Sequence, residues 1–151
     1  DIKRVLLTSE EIKEAVERIG AQIANDYKDK NLLMVSVLKG SVVFLSDLMR
    51  ALCFPLEIDL VCCESYGKSF ESSGEVHLRL DLSHEVCDRH VILVEDIVDT
   101  GLTLSWLRDR LCERGPASLS ICCLLSKPSR RKAPLTPEYV GFEIPDEFVV
   151  G

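Results

Sequence analysis

Three acidic residues stand close together in the middle of the chain, directly after a run of four apolar residues. Glu95, Asp96 and Asp99 lie within five positions of one another, behind Val91–Val94. A carboxylate beside an apolar core is costly unless it is paired, solvated in a cleft or bound to a ligand. This segment is therefore either a solvated turn or a site whose chemistry needs oxygen ligands or a base.

The residues behind the third acid are typical of an anion-binding loop. Thr100-Gly101-Leu102-Thr103 leads into a helical pattern, and its glycine permits close approach of the backbone to a ligand. Successive amides at the start of a helix bind phosphate. The neighbouring carboxylates would repel a phosphate unless the ligand also offered them hydroxyl groups or Mg²⁺. A sugar phosphate with a diol and a metal-bound diphosphate meets both demands.

Apolar periodicity predicts the elements that position these residues. Continuous apolar runs are typical of strands buried on both faces, and three-to-four spacing is typical of helices. The predicted strands are Leu32–Leu38, Leu56–Cys63, Val76–Leu82, Val91–Val94, Ser118–Leu125 and Tyr139–Phe142. The predicted helices start at a capping box in Thr8–Glu11, at Ser41 and at Thr103. Strands alternating with helices indicate a parallel α/β sheet, which binds ligands at the carboxyl ends of its strands.

Composition restricts the function further. The chain has 151 residues and a formal net charge of −7, which predicts a single domain over residues 1–151 and disfavours binding to nucleic acid or to membranes. No apolar stretch reaches the roughly 20 residues of a membrane span, and no signal-peptide pattern is present. Seven cysteines without a C-x-x-C pair predict buried, reduced thiols in a cytoplasmic protein.

The segment Val91–Thr103 resembles the phosphoribosyl-diphosphate (PRPP) binding motif of type I phosphoribosyltransferases. That motif has bulky apolar pairs, an acidic pair, two apolar residues, and then Asp-Thr-Gly-x-Thr. Further segments resemble the hypoxanthine-guanine branch of this family. They are Val37–Ser41, Glu64–Gly67 with Ser72–Glu75, and Val140–Gly151.

The resemblance implies a fold, an activity and an assembly. The expected fold is α/β, with a parallel twisted sheet flanked by helices, and the C-terminal part of the small hood over the base is expected to be missing. The expected enzyme is a Mg²⁺-dependent transferase of purine salvage, which joins the phosphoribosyl group of PRPP to hypoxanthine or guanine. A homodimer or homotetramer is expected, with small-molecule substrates only.

The resemblance also implies roles for the acidic segment. Glu95 and Asp96 would hold the ribose hydroxyls and the associated Mg²⁺, and Asp99 would be the general base near N7 of the purine. The 5′-phosphate would be held by residues of the loop, with Leu102 contributing its amide only. These residues are Asp99, Thr100, Gly101, Leu102 and Thr103. A helix N-cap is the alternative interpretation of Asp99.

Of two other segments, one would contact the departing pyrophosphate and the other would close over the reacting groups. Leu38, Lys39 and Gly40 match the pyrophosphate loop, in which the family has a cis peptide bond before the lysine. Without the resemblance, this tripeptide would be interpreted as a solvated turn. Ser65 and Tyr66 begin a loop that is mobile in the family and excludes water when it closes.

The purine would be held by residues near the end of the chain. Lys127 matches the lysine that donates to O6, and Phe148 matches the aromatic that stacks on the base. Glu147 and Val149 would supply backbone contacts. The alternatives are a surface lysine and a core aromatic.

Several residues stay open on sequence grounds. Arg130 and Arg131 are near enough to assist pyrophosphate, although a solvated basic loop fits them equally. The histidines His77, His84 and His90 show no metal spacing and are interpreted as surface or satisfied residues.

Two other functions are weighed against the transferase. Asp-Thr-Gly is also the signature of aspartic proteases, but that fold is almost all β, and here the triplet opens a helix. A regulator with a phosphoribosyltransferase-like fold that binds nucleic acid is disfavoured by the net charge and by Lys127 and Phe148.

Overall fold

The computed structural model describes residues 2–65 and 75–151. Three α-helices cover Ser9–Tyr27 (α1), Val42–Ala51 (α2) and Leu102–Cys112 (α3), and a short 3₁₀ helix covers Pro128–Arg130. The described residues also form six strands. In chain order they are Leu32–Val37 (β1), Glu57–Ser65 (β2), Val76–Leu80 (β3), His90–Val98 (β4), Ser118–Ser126 (β5) and Tyr139–Glu143 (β6). The chain order of strands and helices therefore follows the predicted pattern.

The strands form one sheet in the order β3-β2-β1-β4-β5-β6. Every pairing from β2 to β6 is parallel, whereas β3 runs antiparallel to β2 at the edge. The predicted α/β class is confirmed, but the sheet is mixed at this edge. Only ten residues separate Ser65 from Val76, and a parallel crossover needs a dozen or more, so β3 pairs antiparallel to β2.

The two faces of the sheet carry separate apolar clusters. Ile92 and Val94 of β4 pack with α1 and α2, whereas Val91 and Leu93 pack with α3. Successive side chains of a strand point to opposite faces, so a strand buried on both faces must be apolar at every position. The four-residue run in β4 meets this requirement and is fully buried.

The start of α1 confirms the predicted capping box. The Glu11 amide donates to Thr8 Oγ1 at 3.2 Å, and the Thr8 amide donates to Glu11 Oε2 at 2.7 Å. These bonds satisfy two donors that would otherwise lack partners at the helix end. The Glu11 carboxylate has a lowered pKa because it accepts this backbone bond and a side-chain bond from Thr8.

Two predictions about local structure are wrong. The strand predicted to end at Val94 continues to Val98, because β5 pairs with it at Glu95, Ile97 and Val98. The thiols are all free, but they are not all buried: Cys122 and Cys123 are buried, whereas three others lie at the surface. The exposed ones are Cys53, Cys87 and Cys112.

Within the described residues, no helix has both the length and the apolar character needed to cross a bilayer.

Candidate active site

The acidic pair lies within the last part of β4, where pairing with β1 has ended and pairing with β5 continues. Both carboxylates are half-buried. The Asp96 amide donates to Glu95 Oε1 at 3.1 Å, and the Ile97 amide donates to Asp96 Oδ1 at 2.8 Å. Backbone donors therefore orient both side chains at the carboxyl edge of the sheet.

Burial and, after it, the neighbouring Asp96 carboxylate together raise the pKa of Glu95 to about 9. Two carboxylates in one poorly hydrated place repel each other, so a cation or hydroxyl donor between them would relieve the cost. Both side chains offer the hard oxygen atoms that Mg²⁺ prefers. Across residues 2–65 and 75–151, no cluster of three or more His, Cys, Asp or Glu side chains is arranged for a metal. The pair therefore fits a Mg²⁺ that takes its other ligands from water and substrate, as Mg²⁺ commonly does.

A tight turn follows β1 and faces the acidic pair. It contains a cis peptide bond between Leu38 and Lys39, as the resemblance implied. The Leu38 amide donates to the Val61 carbonyl at 2.8 Å. Just below the turn, the buried hydroxyls of Ser36 and Ser41 are hydrogen-bonded at 2.7 Å. One hydrogen bond therefore joins the turn to β2, and another joins the residues on either side of the turn.

Gly40 brings this turn against Asp96. A Cβ atom at Gly40 would lie 2.1 Å from Asp96 Oδ2 and 2.8 Å from its Cγ. Only a residue without a side chain permits this approach. The predicted pyrophosphate loop and the predicted ribose-binding acids therefore share one site.

The loop from Asp99 to Thr103 joins β4 to α3. Gly101 has φ +77° and is the N-cap residue of α3, so the N-cap has no side chain, and the Leu102 amide makes a long bond of 3.4 Å to Thr100 Oγ1. Positive φ favours glycine, and weakly satisfied amides at a helix N-terminus can bind an anion. The fold therefore presents the predicted phosphate loop in a form suited to phosphate.

Asp99 and Lys127 lie on neighbouring strand ends. The Lys127 amide donates to the Val98 carbonyl at 2.9 Å, which places Lys127 beside the acidic loop. Arg130 Nε donates to Asp99 Oδ1 at 3.0 Å. Only 6% of Lys127 is exposed, so the surface-lysine alternative is wrong.

Asp146 connects these charged groups. Its Oδ1 lies 3.7 Å from Lys127 Nζ, and its Oδ2 lies 3.7 Å from Arg130 Nη1. A continuous series of ion pairs therefore runs from Asp99 through Arg130 and Asp146 to Lys127. Sequence reasoning gave Asp146 no role, although it lies inside a segment on which the resemblance rests.

In the C-terminal segment, Glu147 forms an ion pair and Phe148 is exposed to solvent. Arg4 donates to both carboxylate oxygens of Glu147, at 2.7 and 2.8 Å. Phe148 is 93% exposed, so it is not a core aromatic, and Val149 beside it is half-buried. Of the two residues that begin the predicted mobile loop, Ser65 ends β2, and Tyr66 lies outside the described residues.

Arg131 has contacts that sequence reasoning missed. Its guanidinium donates to the carbonyls of Asp99 at 3.2 Å and Leu135 at 2.7 Å, and to Ser126 Oγ at 2.9 Å. The sequence carried no signal for this, because the acceptors are mostly backbone carbonyls, which every residue has. Its neighbour Arg130 instead pairs with two carboxylates.

The three histidines lie away from these groups and have partners. His84 bonds to Asp59 and Glu57 at 2.8 Å each, and His90 bonds to Ser118 Oγ at 2.7 Å. His77 Nε2 lies 3.6 Å from Glu64 Oε2. They are satisfied residues, as predicted.

Comparison with known proteins gives consistent matches. Residues 5–151 match the phosphoribosyl transferase domain. The hypoxanthine-guanine phosphoribosyltransferase of Mycobacterium tuberculosis is 47% identical over 157 residues, which covers 100% of this chain and 78% of that protein.

Solved structures agree in fold and sequence. A hypoxanthine phosphoribosyltransferase from Staphylococcus aureus superposes with a TM-score of 0.95 at 44% identity, covering 98% of this chain and 80% of that one. A Trypanosoma cruzi hypoxanthine phosphoribosyl transferase superposes with a TM-score of 0.92 at 41% identity, covering 98% and 81%. That structure concerns the role of the C-terminal region on oligomeric state and enzymatic activity.

These likenesses extend over nearly all of the chain, in sequence as well as in fold. The chain belongs to the phosphoribosyltransferase family, the pentosyl transferases, and within it to the group of hypoxanthine-guanine phosphoribosyltransferases.

Proposed function

We propose that this protein is a purine-salvage enzyme that transfers the 5-phosphoribosyl group of PRPP to hypoxanthine or guanine. The products are IMP or GMP and pyrophosphate. The observation that carries this proposal is the contact of Gly40 with Asp96, because it unites the pyrophosphate loop with the ribose-binding acids. The relatives' names supply the purine class.

PRPP would lie across the carboxyl ends of β1 and β4. The amides and hydroxyls of Thr100–Thr103 would hold the 5′-phosphate at the N-terminus of α3, where the N-cap residue has no side chain. Leu38, Lys39 and Gly40 would contact the pyrophosphate. Glu95 and Asp96 would hold the ribose hydroxyls together with Mg²⁺, and the bound ion would stabilise negative charge on the departing pyrophosphate.

The base would lie between the ends of β4 and β5. Lys127 would donate to O6, Phe148 would stack on the ring, and Glu147 and Val149 would supply backbone contacts. A buried lysine favours a 6-oxo group over the 6-amino group of adenine, because adenine leaves its donor unpaired. Phe148 has the exposed ring that stacking requires.

Asp99 would act as the general base. The N9 lone pair forms a bond to C1′ while the bond from C1′ to the pyrophosphate oxygen breaks, and that oxygen keeps the electron pair. The proton on N7 passes to the Asp99 carboxylate, and C1′ is inverted. For this, N7 must displace Arg130 from Asp99, and O6 must compete with Asp146 for Lys127.

The start of α2 fits a contact between copies of the chain. Val43 is 72% exposed and Val42 is 45% exposed, directly after the Lys39–Gly40 turn. Exposed neighbouring apolar side chains favour burial in an interface. We infer that the enzyme forms a homodimer or homotetramer through this face.

The function is tested by mixing the protein with PRPP, Mg²⁺ and one base at a time, and following nucleotide formation by absorbance. Conversion of hypoxanthine or guanine, with little conversion of adenine, is expected. Conversion of adenine without conversion of either oxopurine would refute the role given to Lys127. Failure to convert any purine in the presence of Mg²⁺ would refute the proposed function.

A further inference from the structure

Arg131 holds together the two strand ends that carry the residues expected to contact the base. On the β4 side its Nε donates to the Asp99 carbonyl at 3.2 Å, and its Nη2 lies 3.5 Å from the Val98 carbonyl. On the β5 side its Nη2 donates to Ser126 Oγ at 2.9 Å. Ser126 directly precedes Lys127, so one guanidinium spans the gap between Asp99 and Lys127.

The Arg131 side chain also packs against Gly101 in the predicted phosphate loop. A Cβ atom at Gly101 would lie 3.1 Å from Arg131 Cδ, so the left-handed turn rests on the arginine stem. The two residues after Arg131 extend this support, since the amides of Lys132 and Ala133 donate to the Thr100 carbonyl at 2.9 and 3.2 Å.

The hydrogen bonds of Arg131 also argue against direct contact with the reacting atoms. Its hydrogen-bond acceptors are backbone carbonyls and one serine hydroxyl, and the third carbonyl belongs to Leu135 at 2.7 Å. Its guanidinium is half-buried among these acceptors. Arginine suits this task because its planar group offers five donors in fixed directions, whereas lysine offers a single point charge.

We propose that Arg131 is a positioning residue, which fixes the distance between the Asp99–Gly101 turn and Lys127 and thereby aligns purine and PRPP for attack. This inference rests on the proposed function. It replaces the sequence-based suggestion that Arg131 assists pyrophosphate, because the guanidinium is occupied by protein acceptors.

The test compares Arg131→Met with a matched control, Arg108→Met. Arg108 is also half-buried and donates to the Pro134 carbonyl at 3.3 Å and to Ser105 Oγ at 3.2 Å, but it has no bond to the Asp99 turn. Both variants lose side-chain bonds to the same loop region. Folding of each is checked by circular dichroism, and kinetics are measured only at temperatures where both are folded.

Arg131→Met is expected to lower kcat for hypoxanthine roughly 10- to 100-fold, because small misplacements of reacting groups cost this much. Arg131→Lys should recover part of the loss, and Arg108→Met should stay within about threefold of the unchanged protein. Equal kinetics of Arg131→Met and Arg108→Met would overturn the proposal.

A second measurement needs no substrate. Amide hydrogen exchange in Arg131→Met should accelerate in residues 125–127 and at Lys132, whose amide donates to the Thr100 carbonyl, and Arg108→Met should leave these amides protected. Unchanged exchange there would overturn the positioning role even if the enzyme is active. If the protein without substitutions is inactive, the proposed function is refuted. The exchange pattern would still decide whether Arg131 positions the loop.

Discussion

The two acidic regions of the site differ in environment although only three positions separate them. Glu95 and Asp96 are half-buried within a paired strand, and burial with mutual repulsion raises the pKa of Glu95 to about 9. Asp99 stands beyond the strand end with its side chain 42% exposed and an arginine beside it. A cation bound at the inner pair would therefore relieve repulsion between its carboxylates, whereas the outer acid already has a cationic partner in Arg130. Four variants test this contrast.

The largest effect is expected from Asp99→Asn. An amide cannot accept the N7 proton, and loss of a general base lowers kcat by about 10²- to 10⁴-fold. Stability should change little because the Arg130 pair is exposed. Steady-state kinetics with saturating PRPP measure the effect, and Asp109→Asn on the exposed face of α3 is the control. Full turnover by Asp99→Asn would remove Asp99 as the base.

Gly40→Ala tests the inner pair through its contact with the turn that we propose binds pyrophosphate. The new methyl group would lie 2.1 Å from Asp96 Oδ2, so the turn or the carboxylate must move. We expect KM for PRPP to rise roughly 10-fold and stability to fall by about 1–3 kcal/mol, as overpacking usually costs.

Gly20→Ala is the matched control for steric cost. Its methyl group would lie 2.9 Å from Ala51 Cβ between α1 and α2, away from the site. It should affect thermal stability but not KM for PRPP. An equal KM change in both variants would show that Gly40 acts through general stability.

The third prediction concerns how the free energy of unfolding depends on pH when a chelator has removed any metal. A carboxyl whose pKa is raised on folding binds its proton more tightly in the folded state, so the free energy of unfolding falls as pH rises from about 4.5 toward 9. In the presence of a chelator, we expect a loss on the order of 4 kcal/mol between pH 5.5 and 8.5, since each pH unit in this window costs about 1.4 kcal/mol. Urea unfolding at several pH values measures it.

Glu95→Gln should flatten that dependence, because glutamine does not titrate in this range. The exposed Glu85→Gln should leave the slope as it was. A Glu95→Gln protein with an unchanged slope would show that Glu95 is as easily ionised as a surface carboxylate.

The smallest effect is expected from Arg130→Met. Arg130 Nε donates to Asp99 Oδ1 at 3.0 Å, so its removal would leave the proposed base free for N7. An exposed ion pair contributes about 0–1 kcal/mol, which sets an upper bound of roughly fivefold on the fall in KM for hypoxanthine. A fall in kcat instead would indicate that Arg130 helps to align Asp99.

Local patterns predicted most of the elements and the content of the loops. The capping box at Thr8–Glu11 depends on residues three apart, and Gly101 lies at the start of a helix, as the pattern behind it predicted. The end of β4 was misplaced, because pairing with β5 outweighs the polarity of Glu95 and Asp96. Neighbouring strands set such limits, and periodicity within one segment does not report them.

The sequence by itself determined the order of strands and helices, the buried apolar run of β4 and the chemical types gathered behind it. Only the tertiary structure decided which distant groups meet: Gly40 with Asp96, Lys127 with Asp146, and Arg131 with the ends of β4 and β5. Helix and strand patterns arise from neighbours in the chain. Contacts between the carboxyl ends of parallel strands arise from sheet order and register, which join residues that are far apart in sequence.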